Sequence, residues 1–352
     1  MFDLLQKHTV DLYKLKEHSY EKQIVAAKSL LSAQRFDLFA KLFYIANREK
    51  NKALALQVYG DHIKAFNPDF KEPGRNDKNS LNDFVTAFDG LIDYFKNNEF
   101  DETVSMIPVS TSGDILDGSH RVAALAFYNK KITILKFKQV QFVSQFDYAY
   151  FQKRGLSSFV ADKVALEALK YTDNMYTACL WPKMGKIKNR TYAMDIFNQH
   201  SKVLYIKDVS MSLKGLSDFM LYVYKNQNWV GTKDDNYAGV HDKALNCSNI
   251  NNKIVRFVLF QSSSLELVQQ TKEDIRTYYG LGKHVVHITD DKYETEDIAN
   301  IIFTEASNKF SNGLNKLSDN FSEYKVFFKN VYILKVKIGI ARYLSKIGLY
   351  KK

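Results

Sequence analysis

Four consecutive residues near the middle of the chain, Gly118-Ser119-His120-Arg121, combine the features of a phosphate-binding turn. Glycine permits a tight turn, and the next residues are expected to begin a helix whose first N–H groups have no internal partner. Those amides and the helix dipole favour an anion. Ser119 adds a hydroxyl, and we expect His120 and Arg121 to place two cations beside the same point.

Carboxylates and a lysine near this turn are candidates for the remaining chemistry of phosphoryl transfer. Asp117 is a candidate magnesium ligand, directly or through water, or a partner that orients His120. In the proline-rich loop upstream, Glu72 is the candidate general base and Lys78 a further phosphate-binding cation, with Asp101 a weaker candidate base. The alternative is an ordinary surface turn preceded by a solvated linker.

The segment Ile107–Leu125, IPVSTSGDILDGSHRVAAL, resembles the ParB/sulfiredoxin superfamily. Its members have a short strand, a Gly-x-His-Arg or Gly-x-x-Arg turn and an alanine-containing helix. The resemblance implies that Gly118, Ser119, His120 and Arg121 contact the phosphates of ATP or CTP.

Departures from the family pattern narrow the expected activity. Sulfiredoxins have a reactive cysteine where this chain has Ser119, and chromosome-partitioning members have a second arginine where it has His120. We find no helix-turn-helix module in the sequence either. The resemblance therefore favours the kinase branch, with ATP and Mg²⁺ as cofactors. The chain is also similar to ParB-like proteins of cell-surface polysaccharide loci, which implies a sugar or glycan hydroxyl as acceptor.

Two other activities stay open on the sequence. One is a non-enzymatic ATP- or CTP-binding regulatory module, and the other is a nucleotidyl- or glycosyltransferase whose chemistry lies further downstream. A DNA-binding protein or nuclease is disfavoured, because residues 324–352 contribute eight units of the formal net charge of +11 and leave the remainder close to neutral.

Hydrophobic periodicity predicts an α/β (α+β) chain in four parts. Residues 1–66 form a helical region, and residues 67–170 form the nucleotide-binding domain, in which strand, turn, helix and strand follow one another. Residues 171–322 form a second α/β lobe. Residues 323–352 form a basic amphipathic helix suited to an anionic membrane surface or to docking on protein.

The N-terminal residues, the lengths of the apolar runs and the cysteine spacing together indicate a cellular location. The N-terminus lacks the basic and apolar regions of a signal peptide, and no apolar run is long enough to cross a bilayer as a helix. The two cysteines have no metal-binding spacing, which fits a reducing compartment. We expect a cytoplasmic protein, attached peripherally to the inner leaflet by its tail.

The second lobe contains a candidate substrate site. Lys272 and Arg276 are four residues apart on a predicted helix and share one face, which suits a phosphorylated or acidic sugar; a solvated basic face is the alternative. His284 and His287 are predicted on one strand with side chains on opposite faces. Trp229 is suited to stacking on a sugar ring, although we expect burial in the core.

Overall fold

Helices cover a three-stranded sheet in the N-terminal half of the chain. The computed structural model describes residues 1–72, 77–141 and 146–311. The helices of this half are α1 (Lys7–Leu12), α2 (Phe36–Asn47), α3 (Lys52–Phe66), α4 (Leu81–Asn97), α5 (Ser119–Phe127), α6 (Tyr148–Lys153) and α7 (Ser158–Ala168). Its strands are β1 (Tyr20–Ala26), β2 (Ile107–Val109) and β3 (Lys131–Phe137).

The first sheet contains the predicted strand, turn, helix and strand. Its strand order is β1-β3-β2, with β2 parallel to β3, so that Ile107 lies opposite Ile134. Helix α5 connects these two parallel strands and buries Val122 and Leu125 completely. Ser80 caps α4, accepting a hydrogen bond from the backbone N–H of Asp83.

The helical prediction for residues 1–66 is wrong at Tyr20–Ala26, which form β1 and pair antiparallel with β3. Ile24 was assigned to a helix because of its spacing from Ala27 and Leu30. Its side chain is instead 66% exposed, and β3 provides hydrogen-bond partners that no local pattern reveals. The sheet therefore begins upstream of the boundary that we predicted at residue 67.

A second sheet, entirely antiparallel, lies in the C-terminal half in the order β5-β6-β4-β7. Its strands are β4 (Met175–Leu180), β5 (Lys202–Ser210), β6 (Ile254–Gln261) and β7 (Val286–Ile288). The helices around it are α8 (Thr191–His200), α9 (Leu213–Tyr224), α10 (Ala238–Cys247), α11 (Leu265–Tyr279) and α12 (Lys292–Ile302). The chain is thus mixed α/β with two small sheets.

The two sheets share one hydrophobic core. Helix α7 packs between α2 and β5, and Tyr205 of β5 contacts Phe36 of α2 with ring centroids 6.5 Å apart. The Tyr205 hydroxyl donates a 2.9 Å hydrogen bond to Asp162 of α7. Phe151, from the aromatic segment after the first sheet, is completely buried in the same core.

Within the described residues, none of the helices is long and apolar enough to cross a bilayer. The amphipathic tail predicted at 323–352 lies outside the described residues.

Buried charges join the beginning of α2 to the turn before α5. Arg35 donates to both oxygens of Asp37, at 2.8 and 2.9 Å, and to the carbonyl of Ile115 at 2.5 Å. Lys41 donates to Asp37 at 3.0 Å. Burial alone would raise the pKa of Asp37, but Arg35 and Lys41 outweigh it and hold that pKa well below its usual range.

Replacing Asp37 should therefore destabilise the fold strongly. Asp37→Ala leaves Arg35 and Lys41 buried without their carboxylate, and we expect a loss of about 3–5 kcal/mol in the free energy of unfolding by urea denaturation. The control is Asp218→Ala, which breaks an exposed pair with Lys214 and should change stability by about 1 kcal/mol or less. Equal losses in the two variants would contradict a stabilising role for the buried cluster.

Candidate functional site

The turn before α5 requires a glycine. Gly118 has φ +86°, in the left-handed region. A Cβ at this position would lie 2.4 Å from Cδ1 of Ile107 on β2 and 2.9 Å from Nη2 of Arg121. A side chain at this position would therefore force the ends of the Ile107 and Arg121 side chains to shift, and its backbone would remain strained.

Helix α5 begins without a side-chain cap. Within the described residues, the backbone N–H groups of Ser119, His120 and Arg121 have no hydrogen-bond partner. Most of the longer helices differ in this respect: Ser157, for example, caps α7 by accepting from Val160. Three donors and the positive end of the α5 dipole are thus available to an anion.

A cavity of about 550 Å³ opens in front of these donors. Eight residues that the sequence analysis selected line it together: Glu72, Lys78, Asp101, Asp117, Gly118, Ser119, His120 and Arg121. Apolar side chains of α4 also line it, among them Phe84, Phe88, Leu91 and Phe95. The cavity therefore combines a polar end at the turn with an apolar wall.

The loop residues Glu72 and Lys78 lie in this cavity as an ion pair. Lys78 is only 8% exposed, and its ammonium lies 4.9 Å from the centroid of the Phe84 ring. Both side chains are held against the cavity, so they are not part of a fully solvated linker. Asp101 also lines the cavity, but Thr103 donates to its carboxylate and lowers its pKa, which makes it a weak base.

Asp117 contacts Arg121 and not His120. Arg121 Nη2 donates to Asp117 Oδ2 at 3.2 Å across one turn of chain, and the prediction that Asp117 orients His120 is wrong. Over the described residues, no group of three or more His, Cys, Asp or Glu side chains is arranged to hold a metal ion. Asp117 alone would be a single carboxylate ligand.

His120 is not the second cation that we expected. Its Nε2 is 2.8 Å from the Tyr59 hydroxyl, and its ring meets Phe88 edge to face at 4.7 Å. Burial lowers the pKa of His120 well below its usual value, and the charges of Lys41 and Lys78 lower it further. The imidazole is therefore neutral at pH 7 and serves as a hydrogen-bonding wall of the cavity.

The predicted substrate residues Lys272 and Arg276 lie elsewhere, in a separate cavity of about 790 Å³ in the second lobe. No described residue lines both cavities. His284 lies in a turn before β7 and not on the strand, so His284 and His287 line this second cavity together. The expectation that they point to opposite faces is wrong, as is the expected burial of Trp229, which is 43% exposed.

Gly118→Ala should destabilise the protein by about 1–3 kcal/mol, because the substitution adds both left-handed strain and the contact with Ile107. Gly113→Ala is the matched control, since Gly113 also has positive φ but nothing within 4 Å of the new Cβ. Urea denaturation of both variants separates strain from contact. An equal loss would show that the close approach of β2 does not restrict the turn.

The low pKa of His120 should make folding stability depend on pH. Below about pH 6.5 the unfolded chain takes up a proton that the folded chain does not, so stability should fall as the pH decreases from 7 to 5. His62 is buried and has a lowered pKa as well, so His120→Gln should reduce the slope and not abolish it. Exposed His8→Gln is the control, and a His120 NMR signal that titrates near pH 6.5 would contradict the assignment.

Comparison with family models, with curated proteins and with solved structures finds no match for this chain. A function must therefore be inferred from the turn, its cavity and the side chains around them.

Proposed function

We propose that the chain is an ATP-dependent phosphotransferase with a nucleotide site of the ParB/sulfiredoxin kind at the Gly118–Arg121 turn. One observation supports this most directly: three amides at the start of α5, which have no partner among the described residues, share a cavity of about 550 Å³ with Lys78 and Arg121. Amide donors combined with cations are the usual partners of phosphate groups.

The nucleotide would lie with its phosphates at the turn and its base toward α4. The amides of Ser119 and His120 would donate to phosphate oxygens, and the Arg121 guanidinium would contribute a forked contact. The phenylalanines of α4 would provide an apolar surface for the base. CTP would suit the same turn, since the selection of the base depends on the wall and not on the phosphate donors.

The residues present are compatible with magnesium. Mg²⁺ is commonly bound by one or two carboxylates together with substrate phosphates and water, and Asp117 lies beside the turn to supply one carboxylate. When bound, the ion would neutralise charge on the phosphate oxygens.

Glu72 is the proposed general base, since its carboxylate lies in the same cavity as the turn. As the acceptor hydroxyl attacks the γ-phosphorus, Glu72 would take the hydroxyl proton, and the bond to the β-γ bridging oxygen would break to release ADP. Lys78, paired with Glu72, would hold the carboxylate and face the phosphates. We propose a hydroxyl of a sugar or glycan precursor as the acceptor.

The proposed setting is the cytoplasmic face of a membrane. Residues 324–352 carry eight basic residues and no acid, a charge pattern that suits an anionic lipid surface. An enzyme held there would meet membrane-linked glycan precursors.

Binding of ATP with Mg²⁺, measured by titration calorimetry, tests the site. Arg121→Ala and Lys78→Met should each weaken binding about tenfold or more, because each removes a charged contact with phosphate. The controls are Arg154→Ala and Lys138→Met, which remove exposed cations outside the cavity. Unchanged affinity in both site variants would exclude the turn as the phosphate site.

Turnover separates an enzyme from a nucleotide sensor. Glu72→Gln keeps the shape of the side chain and should leave ATP affinity nearly unchanged, while transfer to a panel of glycan precursors falls about 10²–10⁴-fold because the base is lost. Mass spectrometry of the panel detects the phosphorylated acceptor. A wild-type chain that binds ATP and phosphorylates no acceptor would be a regulatory module instead.

A further inference from the structure

The cavity of the second lobe has its own recognition chemistry. It lies between the C-terminal end of α9, helices α10, α11 and α12, and strand β7, and has a volume of about 790 Å³. Its lining includes aromatic, basic, acidic and amide side chains. Since it shares no described residue with the turn cavity, a ligand bound here would be a second ligand.

Three cations crowd one part of this cavity: Lys243, Arg276 and Lys283. Among the described residues, neither Lys243 nor Lys283 has a carboxylate partner within ion-pairing distance. Burial lowers the pKa of Lys243, and the charges of Lys283 and Arg276 lower it further although the nearby thiol of Cys247 opposes them. An anion placed among these groups would relieve their mutual repulsion.

Arg276 has a side-chain N–H donor without an acceptor among the described residues. Its Nη1 donates to Glu273 at 2.6 Å, but its Nε is buried and has no partner among the described residues. A buried donor without an acceptor is costly, and an oxyanion in the cavity would be a suitable partner.

Lys272 differs from Lys243 and Lys283, while Arg276 pairs with Glu273 through Nη1 and keeps only its Nε without a partner among the described residues. The Lys272 side chain is 11% exposed, and its ammonium pairs with Asp290 at 2.8 Å. Its charge is therefore already compensated. The anion-binding part of the cavity therefore lies toward Lys243 and Lys283, and only Arg276 of the pair that the sequence suggested belongs to it.

An aromatic surface borders the cationic part. Trp229 is 43% exposed, and its ring lies 5.0 Å from that of Tyr224. The Lys243 ammonium is 5.1 Å from the Tyr224 ring and 5.7 Å from the Trp229 ring. The cations and an exposed indole face are thus close enough to contact the same small molecule.

Hydrogen-bond acceptors for hydroxyl groups line the remaining wall. The carboxylates in the cavity are Asp242, Asp290, Asp291, Glu294 and Asp297, and Gln227 and Asn246 add amides. Formal charges in the lining balance, but Asp290 pairs with Lys272 and Asp297 with Lys225, whereas Lys243 and Lys283 have no carboxylate partner among the described residues. A lining with unpaired cations and several hydrogen-bond acceptors suits a molecule with one anionic group and several hydroxyls.

We propose that this cavity binds an anionic sugar, with its phosphate or carboxylate held by Lys243, Arg276 and Lys283 and its ring against Trp229. The carboxylates and amides that line the cavity exchange hydrogen bonds with the ring hydroxyls. The site stands independently of the function proposed for the turn, since the two cavities have separate linings.

Titration calorimetry on the full chain tests the site with glucose 6-phosphate, glucose 1-phosphate, glucuronate, glucose and inorganic phosphate. At least one anionic sugar should bind more tightly than both phosphate and glucose, because only it engages both the cations and the indole. Preference between the phosphates and glucuronate identifies the anion. Absence of saturation by every anionic sugar at about 1 mM would overturn the proposal.

Single substitutions test which side chains contact the anion and the ring of the sugar. Lys243→Met keeps the apolar stem and should weaken the best anionic sugar about tenfold or more, whereas Trp229→Ala should weaken that sugar while leaving the affinity for inorganic phosphate unchanged. Lys214→Met, on an exposed face outside the cavity, is the matched control. Equal binding by wild type and Lys243→Met would overturn the site.

Two further measurements test whether a loss of sugar binding arises from the second-lobe cavity alone. Thermal unfolding followed by circular dichroism establishes that each variant is folded, and Lys283→Met provides a second charge deletion on an exposed side chain. ATP binding by Lys243→Met should match that of the wild type. A loss of sugar binding with ATP binding intact would assign the two ligands to separate sites, whereas a parallel loss of both would contradict separate sites.

Discussion

The guanidinium of Arg35 connects the parts of the molecule that must meet at the turn. It grips Asp37 with two hydrogen bonds and donates a third to the carbonyl of Ile115, three residues before Gly118. Its backbone neighbour Phe36 donates to the carbonyl of Phe146. Since a buried guanidinium requires its acceptors on Asp37 and Ile115, the beginning of α2 and the segment that delivers the turn are fixed relative to one another.

The contacts of Arg35 position the groups at the polar end of the cavity. Ile107 and Arg121 enclose Gly118, the uncapped start of α5 faces the opening, and Tyr59 and Phe88 hold His120 as a neutral ring. The burial that keeps His120 uncharged leaves the positive charge to Arg121, Lys78 and the helix dipole. Two cationic side chains beside a helix N-terminus suit a site for a polyanionic ligand.

Local sequence was sufficient for the central unit and for the residues around the turn. The glycine followed by an alanine-rich helix identified α5, and the eight residues selected around it line one cavity. Strand β1 was missed because its partner β3 lies more than a hundred residues away. Strand β4 was missed because it is buried at every position and shows no alternation between apolar and polar residues.

Charge states and side-chain partners were harder to infer than elements. Nothing near His120 in the sequence indicates that Tyr59 will contact it. The spacing of His284 and His287 places their side chains on opposite faces only if both residues lie on the strand. The same reasoning selected Lys272 and Arg276 from their spacing on a helix. Whether each cation is already matched by an acid depends on contacts such as Lys272 with Asp290, which are set by tertiary packing.

The shared core has a consequence for how this chain can be divided. Phe36, Tyr205 and Phe303 are completely or almost completely buried, and Tyr205 contacts the other two rings. Cutting the chain near residue 170 would expose one side of this aromatic junction in each half. Each fragment would therefore lose part of the packing that buries these rings.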